Sequence, residues 1–292
     1  MIRIFGILTG LLFTVAVLWS FIVDTGAAIS EPAPETAEEK YHLYPKGPEG
    51  GFAHEGLFAK WDTAQLQRGY QVYKEVCSAC HSLRLVAFRN LGEIGYDEGQ
   101  VKAEAASWQV PGVDPNTGEA TMVEGSPTDY FPKPYANDIA ARAANNNAIP
   151  PDLSLITKAR HDGTNYVYDL LTGYREQPAE LVEEFPEAKT AEGQYYNPFF
   201  HSLNISMAPP LTGTGQVTYG EGNPEPTIEQ MAEDVTAFLA WTAEPTLVKR
   251  RQTGWAFLLF LVFATVLAYF SKKQVWARAK GGDVGEASVK ED

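Results

Sequence analysis

Cysteine is almost absent from this chain. Its 292 residues include two, Cys77 and Cys80, inside "YKEVCSACHSLRL". That scarcity excludes a disulfide framework, because the one possible bridge would close a tiny loop and constrain little of so long a chain. It also excludes a zinc site built from paired ligands. There is no second C-x-x-C, and His42, His54, His161 and His201 are scattered singly. Methionine is nearly as rare, with four residues. Charge is missing selectively. Residues 249–280 contain seven basic residues and no acidic one, whereas residues 31–248 carry 14 Lys and Arg against 32 Asp and Glu. An acidic body of that kind repels phosphates, which disfavours nucleic acid, and favours a basic protein partner.

What is present beside the two thiols is His81. A thioredoxin-like redox pair would want a βαβ pattern nearby and gives no reason for a trailing histidine. C-x-x-C-H is instead the attachment signature of c-type haem. Each thiol adds across one haem vinyl group, and the histidine is placed against the iron as the proximal ligand. Covalent attachment of this kind happens outside the cytoplasmic membrane or in an equivalent compartment. The domain is therefore expected to be exported, with both thiols consumed as thioethers.

An electron-transfer haem needs a second axial ligand, and a methionine opposite the histidine raises the potential. Met1 is the start. Met231 lies on the apolar stripe of a helical segment, where packing explains it. Met122 sits in "GEATMVEGS" and Met207 in "NISMAPPLT". The Pro209-Pro210 pair after Met207 stiffens an extended loop and favours Met207 over Met122. His201 is a rival that would give bis-histidine ligation. On residues alone all three stay open.

The chain divides by composition. Residues 1–30 hold a long apolar run, "IFGILTGLLFTVAVLWSFIV", which directs export. It is longer than the core of an ordinary signal peptide, yet "DTGAAIS" offers cleavage after Ala28 or Ser30, so a removed leader and a retained segment are both open. Residues 31–51, rich in Pro, Glu and Gly, are expected to be an extended linker. Residues 52–248 are expected to be the haem domain. Within it, Asp62 or Thr63 can cap a helix running towards Cys77, with Leu66, Gly69, Tyr70, Tyr73 and Val76 on one face. Gly69, unfavourable inside a helix, marks close approach by another element. "TIEQMAEDVTAFLAW" opens with a capping-box pattern, Thr227 and Gln230, and Pro245 ends it. The Pro-, Gly- and Asn-dense middle predicts loops and short helices. "GWAFLLFLVFATVLAYF" predicts a transmembrane anchor over 252–271, with Trp255 and Tyr269 at interfacial positions, followed by a short cytoplasmic tail over 272–292.

Four blocks carry a resemblance: "GLFAKWDTAQLQRGYQVYKEVCSACHSL", "YANDIAARAANNNAIPPDLSLITKARHDGTNYVYDLLTGY", "YYNPFFHSLNISMAPPL" and "VTAFLAWTAEP", followed by one anchor. Together they resemble the cytochrome c1 family, the haem subunits of ubiquinol–cytochrome c reductase (bc1) complexes. The likeness runs from about Gly51 to Ala277, with the blocks in family order. It implies a mainly α fold with long loops, a class-I c-type cytochrome core with large loop insertions, and a C-terminal transmembrane helix. It implies one covalently bound haem c on Cys77 and Cys80, with His81 and Met207 as iron ligands. It further implies that Asn145, Pro150 and Pro151 line the haem pocket and that Arg160 and Tyr166 lie on the propionate side. Some bacterial members brace the methionine loop with an extra cysteine pair. This chain has none, so packing and prolines must hold that loop.

The function so implied is electron relay from a Rieske iron–sulfur subunit to cytochrome c, beside cytochrome b in a dimeric complex of the cell inner membrane. A single C-terminal anchor would put the haem domain on the periplasmic side, and the chain would need no acid–base chemistry of its own. Two other readings compete. A free-standing anchored mono-haem cytochrome c feeding a terminal oxidase would not need so long a middle region. A peroxidase-like haem enzyme would need an open iron position and a distal acid–base group.

Overall fold

A computed structural model describes residues 2–30, 34–56 and 58–280 of the chain. The first helix, α1 (Ile2–Ser30), is apolar along its length and buries none of its residues. The stretch expected to be an extended linker carries a short helix instead, α2 (Ala37–Tyr41). Its cause is local. Thr36 Oγ1 accepts from Glu39 N at 3.3 Å while the Glu39 carboxylate accepts from Thr36 N at 2.9 Å, a complete capping box. The helix then buries Ala37 with Leu181, Tyr196 and Leu203, and Lys40 and Tyr41 both reach Glu184. The linker is thus partly strapped to the body, an outcome its composition alone did not indicate.

Helix α3 (Thr63–Glu75) is capped by Asp62, whose carboxylate accepts from Ala64 N and Gln65 N. Short elements follow, as the Pro- and Gly-dense middle predicts. They are α4 (Glu98–Ala106), the antiparallel hairpin β1 (Gln109–Val113) and β2 (Ala120–Glu124), α5 (Asp138–Ala144), α6 (Ile156–Ala159), α7 (Gly163–Thr172) and α8 (Ala179–Glu184). A two-residue ladder joins β3 (Tyr195–Tyr196) to β4 (Asn204–Ile205). Two long helices end the described residues, α9 (Ile228–Ala243) and α10 (Leu247–Lys280). Thr227 caps α9 through Gln230 N at 3.1 Å. The Gln230 side chain does not complete a box; its Nε2 donates to Asp234 Oδ1 at 3.0 Å instead.

The crossing of α3 over α9 organises the core. At Gly69 the helices approach so closely that an added Cβ would overlap Asp234 O and lie 2.7 Å from Phe238 Cβ. Beside that point Arg68 makes a two-pronged pair with the fully buried Asp234, 2.9 Å on each arm. A planar guanidinium satisfies both carboxylate oxygens at once, and such a pair costs about 3–5 kcal/mol to break from one side. Around the crossing, Leu66, Tyr70, Tyr73, Met231, Val235, Phe238 and Trp241 pack with Phe88 and Phe131 from the loops. The C-terminus of α3 is thereby held rigid, and it delivers the chain directly to Cys77.

Helix α10 starts at Leu247, ahead of the basic triplet at 249–251 and of the apolar run, and continues beyond that run. Its apolar window is long enough to cross a bilayer and none of it is buried in the chain.

Candidate functional site

Immediately after α3 the chain tightens into a 3₁₀ turn over Cys77–Ala79. Cys80 N and His81 N both donate to Cys77 O, at 3.1 and 2.9 Å. This turn sets the two thiols and the imidazole within one short, hydrogen-bonded loop. Both thiols are free and partly exposed, as required for addition to a ligand from outside. Burial pushes the Cys77 thiol up to about 12, with Cys80 adding to it, so it is protonated at neutral pH.

His81 is held by its neighbours on two sides. Its carbonyl accepts from the Tyr73 hydroxyl at 3.0 Å, and its Nδ1 lies 2.7 Å from Pro151 O. A carbonyl can only accept, so Nδ1 carries the proton and Nε2 keeps its lone pair. A backbone acceptor behind the ring is the usual orienting partner of a metal-ligating histidine. Burial lowers the His81 pKa, against the smaller raising effects of Pro151 and Asp152, which keeps the ring neutral and able to ligate. The donor set of two thiols and one oriented imidazole fits a covalently bound haem.

A second segment is stitched to this turn. Leu153 N donates to Ser82 O at 2.9 Å, and Leu85 N to Ser154 Oγ at 3.1 Å. The Asp152 carboxylate accepts from Ser82 Oγ, Arg84 N and Ser154 N at 2.7–3.0 Å. Burial alone would raise the Asp152 pKa, but these hydrogen bonds together hold it below the ordinary carboxylate value. Asp152 therefore acts as the bolt that keeps Pro151 behind His81. The sequence blocks contained it without marking it.

The expected pocket residues fall into groups. Pro151 is on His81, with Pro150 half-buried before it. Asn145 donates to Ala141 O at 2.7 Å, and its side chain also meets the Tyr135 hydroxyl, which in turn lies against Cys80. Tyr135 was not singled out by sequence, although it opens the "YANDIAARA" block. Arg160 is exposed and sits beside the half-buried Tyr166, where its charge opposes the rise that burial gives the phenol. Tyr166 in turn neighbours Tyr174, whose hydroxyl donates to Met207 O at 3.1 Å. Arg160, Tyr166 and the Met207 loop thus form one assembly, joined by a tyrosine that sequence reasoning passed over.

Met207 is half-buried. The loop beyond it is clamped by Gln216, which donates to Pro210 O at 2.9 Å and accepts from Thr212 N at 2.8 Å. That clamp and the prolines hold the loop without a cysteine pair. The other candidates have different settings. Met231 is fully buried in the α3–α9 core, Met122 is 53% exposed on β2, and His201 is exposed and stacked on Phe200.

The profile of the Cytochrome C1 family matches residues 52–279. A cytochrome c1 of Rhodospirillum rubrum is 43% identical over 77% of this chain and 85% of its own length. A mitochondrial cytochrome c1 heme protein of Arabidopsis thaliana is 41% identical over 84% of this chain and 76% of its own. A cytochrome b/c1 of Bradyrhizobium diazoefficiens is 45% identical over 80% of this chain, and the match spans 36% of that longer protein.

Proposed function

The chain belongs to the cytochrome c1 family, and from that premise we propose that it is the haem-bearing electron carrier of a ubiquinol–cytochrome c reductase complex. Cys77 and Cys80 would hold one haem c through thioether links, with His81 Nε2 and the Met207 thioether as donors to its iron. When bound, the haem supplies a one-electron ferric–ferrous couple. The chain's own residues do the rest. Pro151 O and Asp152 fix the imidazole, Tyr174 and Gln216 fix the methionine loop, and the α3–α9 crossing keeps the attachment turn in place. Tyr135 and Asn145 lie on the Cys80 side, and Arg160 with Tyr166 suits a carboxylate-bearing edge.

The observation that carries this reading is the oriented His81 within the C-x-x-C-H turn, in a chain matched by the family over most of its length. The Bradyrhizobium relative, whose name joins b and c1, supports cytochrome b as a neighbour. A Rieske subunit as donor, a soluble or anchored cytochrome c as acceptor, and a dimeric complex follow from the family reading. The anchor α10 would hold the 52–248 haem domain on the periplasmic face of the inner membrane, its far end facing the cytoplasm. The test is purification of the full chain from its membrane. A mass increase of one haem that survives acid–acetone extraction, a c-type reduced-minus-oxidised spectrum and co-purification of a b-type cytochrome are the expected results. Covalent haem without the b-type partner would point to a free-standing cytochrome instead.

A further inference from the structure

We infer that the cleft at the foot of α10 binds the phosphodiester group of an anionic glycerophospholipid in the leaflet nearest the haem domain. The inference rests on reading α10 as the membrane anchor. The cleft is an open, shallow depression of about 460 Å³ between Gly56 and Arg250, Arg251, Gly254, Trp255 and Leu258 of α10. Its lining changes along the helix in the order that a lipid does. The two guanidinium groups come first and match the paired oxygens of a phosphodiester. Trp255 follows about one turn on, at the depth where amphipathic aromatics sit. Leu258 is last. At 1.5 Å per residue, Arg251 and Leu258 are separated by about 10 Å along the axis. That exceeds the headgroup layer of one leaflet, roughly 5–8 Å, so arginines in the headgroups place Leu258 among acyl chains.

The charge balance is cationic. Arg250 Nε pairs with Glu244 at 2.5 Å, but Glu244 also takes Lys158 at 2.7 Å. With Lys249 and Arg251, four cations stand against Glu244 and the neighbouring Glu55. Arg251 is fixed rather than mobile, because its Nη1 donates to His54 O at 3.0 Å in the loop that forms the opposite wall. The same loop carries Phe58, 91% exposed, an aromatic suited to the interface. Gly254 lines the cleft, and a Cβ placed there would meet nothing within 4 Å, so the space above it is open to a ligand.

The experiment uses the haem-loaded full chain in detergent, titrated with phosphatidylglycerol or phosphatidylcholine and read by native mass spectrometry. One phosphatidylglycerol should be retained at least tenfold more tightly than phosphatidylcholine. Arg250→Gln with Arg251→Gln should abolish the preference, whereas Lys272→Gln with Lys273→Gln, at the other end of α10, should leave it. If the arginine variant fails to fold, Gly254→Leu decides alone. It keeps every charge, favours the helix and fills the cleft, so it should also abolish retention. Retention unchanged in Gly254→Leu would mean diffuse charge attraction and no built site. Loss confined to the lysine variant would place the lipid at the wrong end. Displacement by equimolar inorganic phosphate would mean a free-anion site. Each of these results overturns the inference. Recovery of the chain in the aqueous phase after carbonate extraction would instead overturn the anchor reading on which it stands.

Discussion

At the scale of single residues, two side chains make opposite use of burial. Met207 is half-buried and Tyr174 holds its backbone carbonyl, which would leave the thioether for the ligand role proposed above. A soft thioether favours ferrous over ferric iron and raises the potential. Met207→Leu should therefore keep covalent haem, lose the near-infrared Met–Fe(III) band and lower the potential. Met122→Leu and His201→Ala should change neither, and loss of the band in Met122→Leu alone would reverse the assignment. His54 is the other case. It is 2% exposed, stacked 4.9 Å from Trp61 and 5.2 Å from Phe52, and neither ring nitrogen has a hydrogen-bond partner among the described residues. Burial, with Arg251 adding to it, lowers its pKa to about 4. The unfolded chain takes up a proton near pH 6.5 that the folded chain refuses. The neutral ring's contribution is thus complete above pH 6.5 and is lost as pH falls towards 4, a swing on the order of 3 kcal/mol. His54→Phe keeps the stack and removes the titration. Its thermal midpoint should fall less than the parent's between pH 7 and pH 4.5, and parallel curves would sink the account.

At the scale of elements, the two crossing helices were legible because their signals are periodic and local. Asp62, Thr227 and the apolar stripes of α3 and α9 announce themselves in sequence, and Gly69 marked the contact point before its partner was visible. The crossing gives the clearest stability test. Gly69→Ala gains about 1 kcal/mol of helix propensity. Against that, the new Cβ overlaps Asp234 O and presses on Phe238. Overpacking of that kind costs typically 1–3 kcal/mol, and here the obstacle includes backbone that cannot rotate away. The variant should melt several degrees lower, and a midpoint at or above the parent's would show that the helices can separate freely. Other elements were not legible. Helix α2 is five residues long, below any periodic signal, and exists because a capping box and a buried Ala37 select it. Asp152, Tyr135 and Tyr174 work through Ser82, Cys80 and Met207, which lie 33 to 70 positions away, and nothing in local composition shows such contacts. The C-x-x-C-H turn and the methionine with its prolines stood out because their chemistry is compressed into a few residues.

At the scale of the whole molecule, charge is sorted. The acidic body and the basic 249–280 segment are opposite poles of one chain, and a body of that sign suits a basic partner. The densest acidic stretch runs through α8 and the turn after it. Of the glutamates from Glu176 to Glu192, Glu184 is engaged by Lys40 and Tyr41, while Glu176, Glu180, Glu183, Glu187 and Glu192 are exposed. The simplest account of such a face is solubility, which predicts no effect on a partner's arrival. Steering predicts a specific one. Exposed charges act over the Debye length, about 30 Å at 0.01 M salt and about 8 Å at physiological ionic strength. The bimolecular rate of electron transfer to a basic cytochrome c should therefore fall steeply across that range. Reversing Glu176, Glu180, Glu183 and Glu187 to lysine leaves the buried Leu181 and the Lys40–Glu184 tie untouched, so the fold should hold. It should lower the rate at low salt and flatten the profile, with the two proteins converging at high salt. Stopped-flow traces at a series of ionic strengths separate the accounts. A parent profile that is flat, or one that keeps its slope after the reversal, would return the acidic stretch to the role of a solvated face.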